Sequence, residues 1–499
     1  MLSFEFVVSV KMKFQFFVTC VLLCLVRGDA WSLSKATQRS NPVATMREQR
    51  AKRMTIMSDA ASKSGKATLP SSTFNLAKNI VGAGVLSLPN GIAYFSDAPS
   101  AIYPSTALLV LAGCISAYSF SLIGRACAQH KTTTFQDTWA KSVSPSTAKL
   151  INGGITLMCF MTVLAYSLII GDSFTGLAKG LSLPALFAKR EHVILIMTTF
   201  ALLPLVSLQN LAALAPFSLL GLGGMIYTTI YMAIRYTDKS YAAGGKFFSS
   251  IAASAQPVFN TRPGSFFSKK AFMLLSMLST AYIAHFNAPK FYAELDNPTI
   301  NRYNKMVWGA FSLSMVFFTV IMALGYFTFG GNCLGLILNN YAASDIGATI
   351  ARFMVGGAIL TSYPFAFSAL RDGLLDLQNV EGPRREKLVK PYTIGLLSMV
   401  TMLALVLKDV GFVVGLSGAL FGPILLMAIP ALMNIQNIKK KFGTDLFGKP
   451  TQGMGLTNRR ALNFGSKLEL VANYSMIPAG IILTCICVAV SVLSEMGKM

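Results

Sequence analysis

The sequence predicts an all-α polytopic membrane protein with about eleven transmembrane helices, on the grounds of composition and of the length of its apolar runs. Hydrophobic residues make up 53% of the 499-residue chain and charged residues only 13%, and the mean hydropathy is positive. A soluble chain of this length would show polar-faced helices or alternating strands. Here apolar runs of roughly 18 to 25 residues recur instead, the length a helix needs to cross a bilayer. They lie at approximately 72–95, 104–127, 147–175, 192–209, 211–234, 270–289, 303–329, 345–370, 390–408, 410–434 and 470–494.

The leader before the first run has two parts. Residues 1–30 read as a signal peptide: Lys11 and Lys13 precede an apolar run over 14–26 that is too short for a comfortable span, and the small residues Gly28 and Ala30 follow. Residues 31–70 form a basic, Ser/Thr/Ala-rich targeting or disordered segment in which only Glu48 and Asp59 are acidic. A signal core followed by Trp31 and such a stretch resembles the bipartite leaders of algae whose plastids came by secondary endosymbiosis. The transmembrane domain then occupies 71–495.

The first span, 71–95, reads SSTFNLAKNIVGAGVLSLPNGIAYF and is broken mid-way by Gly82, Ala83 and Gly84. A membrane helix satisfies its backbone internally, so unwound backbone at membrane depth persists where protein, water or a ligand supplies the partners. Opening the helix here would free N–H groups and the positive end of a half-helix dipole for an anionic group such as a carboxylate. The competing reading is close helix packing, which Gly-x-Gly also serves. Asn75, Lys78 and Asn79 precede the break, and an ionisable residue inside a span points first to function.

The net charge of +23 would suit nucleic acid if it formed a stripe on a soluble domain, but the cations gather in the leader and in particular loops. Placing the start of span 1 in the cytosol puts Arg125, Lys131, Lys141, Lys290, Arg302, Lys305, Arg371, Arg384, Arg385, Lys387, Lys390, Lys439, Lys440, Lys441, Lys449, Arg459, Arg460 and Lys467 inside. The segment 235–270 is the main exception on the other face, and the tail after Glu495 falls outside.

Span 6 ends in AYIAHFNAPKFYAEL, residues 281–295, where His285, Asn287 and Pro289 interrupt the apolar run. A five-plus-five inverted repeat would set this second break opposite the first. His titrates near physiological pH, so His285 is a candidate to sense or relay a proton. Among the later elements, Gly415, Gly418 and Gly422 read as close-packing positions of span 10. Cysteine gives no disulfide framework. Cys114, Cys127, Cys159, Cys485 and Cys487 lie in or beside spans, Cys333 is expected in an exposed loop, and the Cys485-x-Cys487 pair lacks partner ligands for a metal. The sequon at Asn473 lies at the cytosolic mouth of the last span, a poor place for a glycan.

Five ordered segments carry a family resemblance. FNLAKNIVGAGVLSLP (74–89), AHFNAPKFYAEL (284–295), GYFTFGG (325–331) with ILNNY (337–341), SYPFAFSALRDGL (362–374) and GLSGALFGPILLMAIPAL (415–432) together resemble the amino acid/auxin permease family, on its proton-coupled and vacuolar-like branch. The resemblance covers roughly 70–495. It implies a leucine-transporter-like fold of two five-helix inverted repeats with broken helices 1 and 6, and a secondary active carrier of amino acids, by default small neutral ones, working by alternating access. In that picture the backbone of Gly82, Ala83 and Gly84 holds the substrate carboxylate. Carbonyls and hydroxyls near Tyr282, Ala284 and His285 face the amino group and side chain.

The same resemblance bears on energy coupling. Sodium-coupled members carry Asn where Lys78 stands, whereas proton-coupled and vacuolar members are similar to this chain in carrying Lys there. The Lys78 ammonium would then stand in for sodium beside Thr361 and Ser362, which implies symport with protons and no cofactor; sodium coupling is the alternative. Lys78 could equally snorkel to the headgroups. A membrane enzyme would bring several His or carboxylates together, but His130, His192 and His285 fall in different segments. An amino acid sensor using the same site is the remaining alternative. The implied partners are an amino acid and the lipid bilayer, with no nucleic acid. The membrane occupied is left open between vacuolar or endomembrane, plasma membrane and, if the leader is bipartite, plastid.

Overall fold

The structure is a computed structural model that describes residues 67–208, 217–260, 270–442 and 464–495. The leader expectations for 1–66, residue 209 of the fourth predicted span, residues 211–216 of the fifth, Lys449, Arg459, Arg460 and the tail after Glu495 lie outside the described residues. Within them the chain is helical, with two isolated β-bridges, Ala67 to Leu295 and Val258 to Gly330. Eight helices among the described residues are long and apolar enough to cross a membrane. The protein is an integral, multi-pass membrane protein.

The first predicted span is two helices. α1, Leu69–Ile80, starts where Thr68 caps Ser71 and Pro70 fits the first turn. It stops at Val81, and Gly82 is extended at φ −100° and ψ −177°. A 3₁₀ segment, Ala83–Ser87, leads into α2, Leu88–Phe95, with Pro89 in its first turn. Next come α3 (Ile102–His130), the short α4 (Phe135–Ser142) and α5 (Ala148–Gly180). α4 is capped by Thr134, whose hydroxyl accepts from the Asp137 N–H.

The fourth predicted span is α6 (Arg190–Ile196), a π-helical stretch at Met197–Leu202 and α7 (Leu203–Val206). Pro204 removes an N–H donor, and a π-bulge beside it accommodates the lost bond. α8 is Phe217–Thr237. The sixth span is again two helices, α9 (Ala271–Tyr282) and α10 (Ala288–Glu294), separated by Ile283, Ala284 and a 3₁₀ turn at His285–Asn287.

α11 (Ile300–Phe329), α12 (Ile346–Leu377) and α13 (Gly382–Val406) are continuous. α14 (Val410–Pro423) passes through a π-helical stretch, Ile424–Ala428, into α15 (Ile429–Phe442), with Pro423 and Pro430 flanking that stretch. α16, Phe464–Glu495, closes the chain. The apolar core runs through the whole bundle, from Leu76 and Leu86 through Phe120, Leu164, Tyr282 and Phe311 to Phe367 and Leu416.

One sequence expectation changes at this level, that of Cys333, and the weak reading of the sequon at Asn473 gains a structural reason. Cys333 is buried, with its Sγ 3.5 Å from the Gly325 carbonyl, because the loop that carries it folds down against α2. Asn473 is also buried, its amide donating to Tyr118 and to the Glu469 carbonyl, so the sequon has no room for a glycan.

Candidate functional site

The two broken spans lie antiparallel against each other, and their breaks meet. Moving from one side of the bundle to the other, Gly91 of α2 lies against Leu274 of α9, where an added β-carbon would come within 2.8 Å of Leu274 Cδ1. At the breaks, the same test on Gly84 meets Thr280 Cγ2 at 3.9 Å. Beyond them the Asn287 amide donates to Asn79 Oδ1 at 3.2 Å, and the Ala67 N–H donates to the Glu294 carbonyl at 3.2 Å.

The glycines of the first break are not packing residues. A β-carbon on Gly82 would meet nothing within 4 Å, and the Gly84 contact is ordinary. At span 10 the opposite holds. A β-carbon on Gly418 would lie 1.8 Å from the Ser276 carbonyl oxygen, and one on Gly422 would lie 2.3 Å from Ser279 Cβ. Gly415 has ordinary contacts with Met273 and Met277.

Backbone polarity follows from the breaks. The N-terminal N–H groups of a 3₁₀ segment have no partner within it, so those of Ala83 and Gly84 are donors at the start of the segment that leads to α2. The last carbonyls of α9 are acceptors by the same rule. Ser87 Oγ donates to the Gly84 carbonyl at 2.7 Å, and Thr280 Oγ1 donates to the Val414 carbonyl of α14 at 2.7 Å. One edge of the gap is thus rich in N–H donors and the other in carbonyl acceptors, which suits a zwitterion that carries its carboxylate and its ammonium on one carbon.

The side chains of Tyr282 and His285 point elsewhere. Tyr282 is fully buried, packs on Phe311 and Phe318 and donates to the Leu109 carbonyl at 3.2 Å. His285 is fully buried against α3: its Nε2 lies 3.1 Å from the Ser116 carbonyl and 2.8 Å from Ser119 Oγ, between Phe120 and Phe311. A carbonyl can only accept, so Nε2 carries the proton and Nδ1 is left as a buried acceptor without a partner. At these positions, and at the buried Ala284, only the backbone is available to the gap.

Of the coupling candidates, Lys78 is half-buried in the last turn of α1, where the carbonyl end of the helix favours a cation. Thr361 and Ser362 sit mid-way along α12, and both hydroxyls donate to the Ala358 carbonyl, at 3.0 and 2.8 Å.

The side of the gap toward α2 is closed. The Asn90 amide donates to the Cys333 carbonyl at 2.6 Å, and the Tyr326 hydroxyl lies 2.9 Å from the Ser96 and Ala98 carbonyls. The 333–342 loop is fastened beneath as well. Asn339 donates to Asp172, which pairs with Arg190 at 2.5 Å, and the Arg352 guanidinium donates to the Leu338 and Tyr341 carbonyls. The segment after α8 crosses above, with Asn260 donating to Asp97 at 2.6 Å and Val258 bridging Gly330. Toward α1 the chain is open: Asn75 and Asn79 are exposed, and Val81, Gly82 and Gly84 are half-buried.

Sequence reasoning missed Ser116 and Ser119 as the partners of His285, and the Asp172–Arg190 and Arg352 fastenings. Asp172 and Arg352 stand inside predicted apolar spans, and that position was the signal available. Among the described residues no group of three or more His, Cys, Asp or Glu could hold a metal ion.

Residues 65–446 match a family described as Transmembrane amino acid transporter protein. The chain belongs to this family. Its members are membrane carriers of amino acids rather than enzymes. The transporter is 24% identical over 75% of its length to 80% of a Danio rerio protein provisionally named sodium-coupled neutral amino acid transporter 11. It is also 25% identical over 60% of its length to 58% of vacuolar amino acid transporter 7 of Saccharomyces cerevisiae. In fold it resembles the inward-facing conformation of Mhp1, with a TM-score of 0.53 at 13% identity over 87% of this chain and 90% of that one. It likewise resembles MhsT, with a TM-score of 0.51 at 13% identity over 84% and 98%. The fold is therefore that of the leucine-transporter-like carriers.

Proposed function

We propose that this transporter is a proton-coupled secondary carrier of small neutral amino acids, with the substrate held between the breaks at 81–84 and 283–285. The observation that carries the reading is the Gly82–Ala83–Gly84 segment: unwound, free of close packing at Gly82 and set against α9 where that helix also ends. The donor edge takes the carboxylate and the acceptor edge the ammonium. With the side toward α2 closed and the side toward α1 open, and with span 1 starting in the cytosol, the arrangement is the inward-accessible stage of an alternating-access cycle.

Proton coupling rests on Lys78, an ammonium at the end of α1 where sodium-coupled members carry Asn. The names of the Danio rerio relative and of others like it favour a second reading, sodium coupling. The test is uptake of labelled neutral amino acids by proteoliposomes holding the full chain, under an imposed proton gradient without sodium. Accumulation that a protonophore collapses supports proton coupling. Accumulation only with a sodium gradient overturns it and leaves amino acid transport standing.

A further inference from the structure

We infer that the ends of α3, α4 and α15 form a binding surface for the phosphate headgroup of an anionic lipid. Lys131, Lys141, Lys439, Lys440 and Lys441 come together there from three elements. The Lys141 ammonium donates to the His130 carbonyl at 3.1 Å, and Lys440 donates to the Lys141 and Ser142 carbonyls at 2.8 Å each. His130 Nε2 lies 2.7 Å from Asn437 Oδ1, and the Asn437 amide donates to Ser142 Oγ at 3.3 Å, so the three ends are tied together.

Among the described residues none of these five lysines pairs with a carboxylate. Asp137 stands on α4 one turn before Lys141, and Glu469 on the adjoining α16 is taken by Arg125 and Asn434. A lysine at a helix C-terminus is ordinarily explained by the carbonyls it caps. That accounts for Lys440, which caps α4, and for Lys141, which caps α3, and leaves Lys131, Lys439 and Lys441 without a counter-charge among the described residues.

The patch borders the lipid-facing surface. Lys439 lies over the Tyr474 ring at 5.6 Å. Tyr474 shares the exposed face of α16 with Phe464, Leu468 and Val471, apolar side chains that water would not leave uncovered. Cations rimming a hydrocarbon-facing strip at one end of the bundle match a headgroup phosphate whose acyl chains lie along α16.

The test is native mass spectrometry of the full chain released from vesicles of phosphatidylcholine mixed with phosphatidylglycerol, comparing the wild type with K131Q/K439Q/K441Q, which keeps Lys440. Removing three surface cations is expected to lower phosphatidylglycerol retention on the order of a hundredfold. The equal-charge control R384Q/K387Q/K390Q and the conservative K131R/K439R/K441R are expected to retain it. Unchanged retention in K131Q/K439Q/K441Q, or an equal loss in the control, overturns the inference. Displacement of the lipid by free inorganic phosphate also overturns it, in favour of a soluble anion. The readout is independent of transport, so it stands or falls separately from the proposed function.

Discussion

At the scale of the residue, Gly82 and Lys78 carry the functional argument. Gly82 has an ordinary extended conformation and empty space where a side chain would go, so G82A is expected to change stability by less than about 0.5 kcal/mol. Its methyl would stand where the substrate carboxylate approaches the backbone, and uptake is expected to fall at least about tenfold. Thermal stability by fluorescence-detected gel filtration, read beside uptake, separates the two effects; full uptake would remove the backbone of Gly82 from the site. For Lys78, K78N is expected to abolish proton-driven accumulation in proteoliposomes while substrate binding persists. Unchanged proton-driven uptake would reduce Lys78 to a cation at a helix end. Neither the open space at Gly82 nor the direction of His285 was legible in the sequence. Motif spacing places a residue in a break, but the rotation of the chain leaving the break decides which side chain faces the gap.

At the scale of the element, close approaches and caps fix how the helices sit. Gly418 holds α14 directly against the backbone of α9, and G418A would press a methyl onto the Ser276 carbonyl. The helices must separate, which is expected to cost about 1–3 kcal/mol and to lower the melting temperature where G82A does not; an unchanged melt would deny the contact. Asp345 caps α12 through the Gly347 N–H and accepts from Arg235, Tyr231 and Tyr241, joining α8 to α12. Burial alone would raise its carboxyl, but Arg235 and the two tyrosines hold it below the usual carboxylate range. Its contribution to stability is therefore complete above the unfolded value of about 3.9 and is lost only as pH falls below that. From neutral pH to about pH 5 the wild type should therefore keep a constant advantage over D345N, of about 3 kcal/mol. A wild-type melt that falls between pH 7 and 5, with D345N flat, would place the sensitivity in this cap. Both breaks and the glycines of α14 were legible because Gly and Pro interrupt apolar runs there. The π-helical stretches were not, since a one-residue bulge leaves the hydropathy of a run unchanged.

At the scale of the molecule, the two ends of the broken pair are closed by different means, and that asymmetry makes alternating access testable. Toward α1, the half-buried Asn287 donates to the exposed Asn79, and at the outer rim Ala67 bridges Leu295. Toward α2, loops from three parts of the chain converge: Asn260 on Asp97, Val258 on Gly330, Asn332 on the Gln256 carbonyl and Asn90 on the Cys333 carbonyl. Gly330 is needed at this seam, because its φ of +60° excludes most side chains and a β-carbon there would lie 2.0 Å from the Val258 carbonyl oxygen. Substrate entering from that face requires the seam to part. With the eight native cysteines replaced, D97C/N260C joined by a short thiol cross-linker is expected to reduce net uptake to background, and cleaving the linker should restore it. Binding of the amino acid to the cross-linked protein in detergent should survive, since the side toward α1 stays open. Undiminished uptake through the cross-link would show that substrate passes without parting this seam, and the closed face would then be a fixed wall and not a gate.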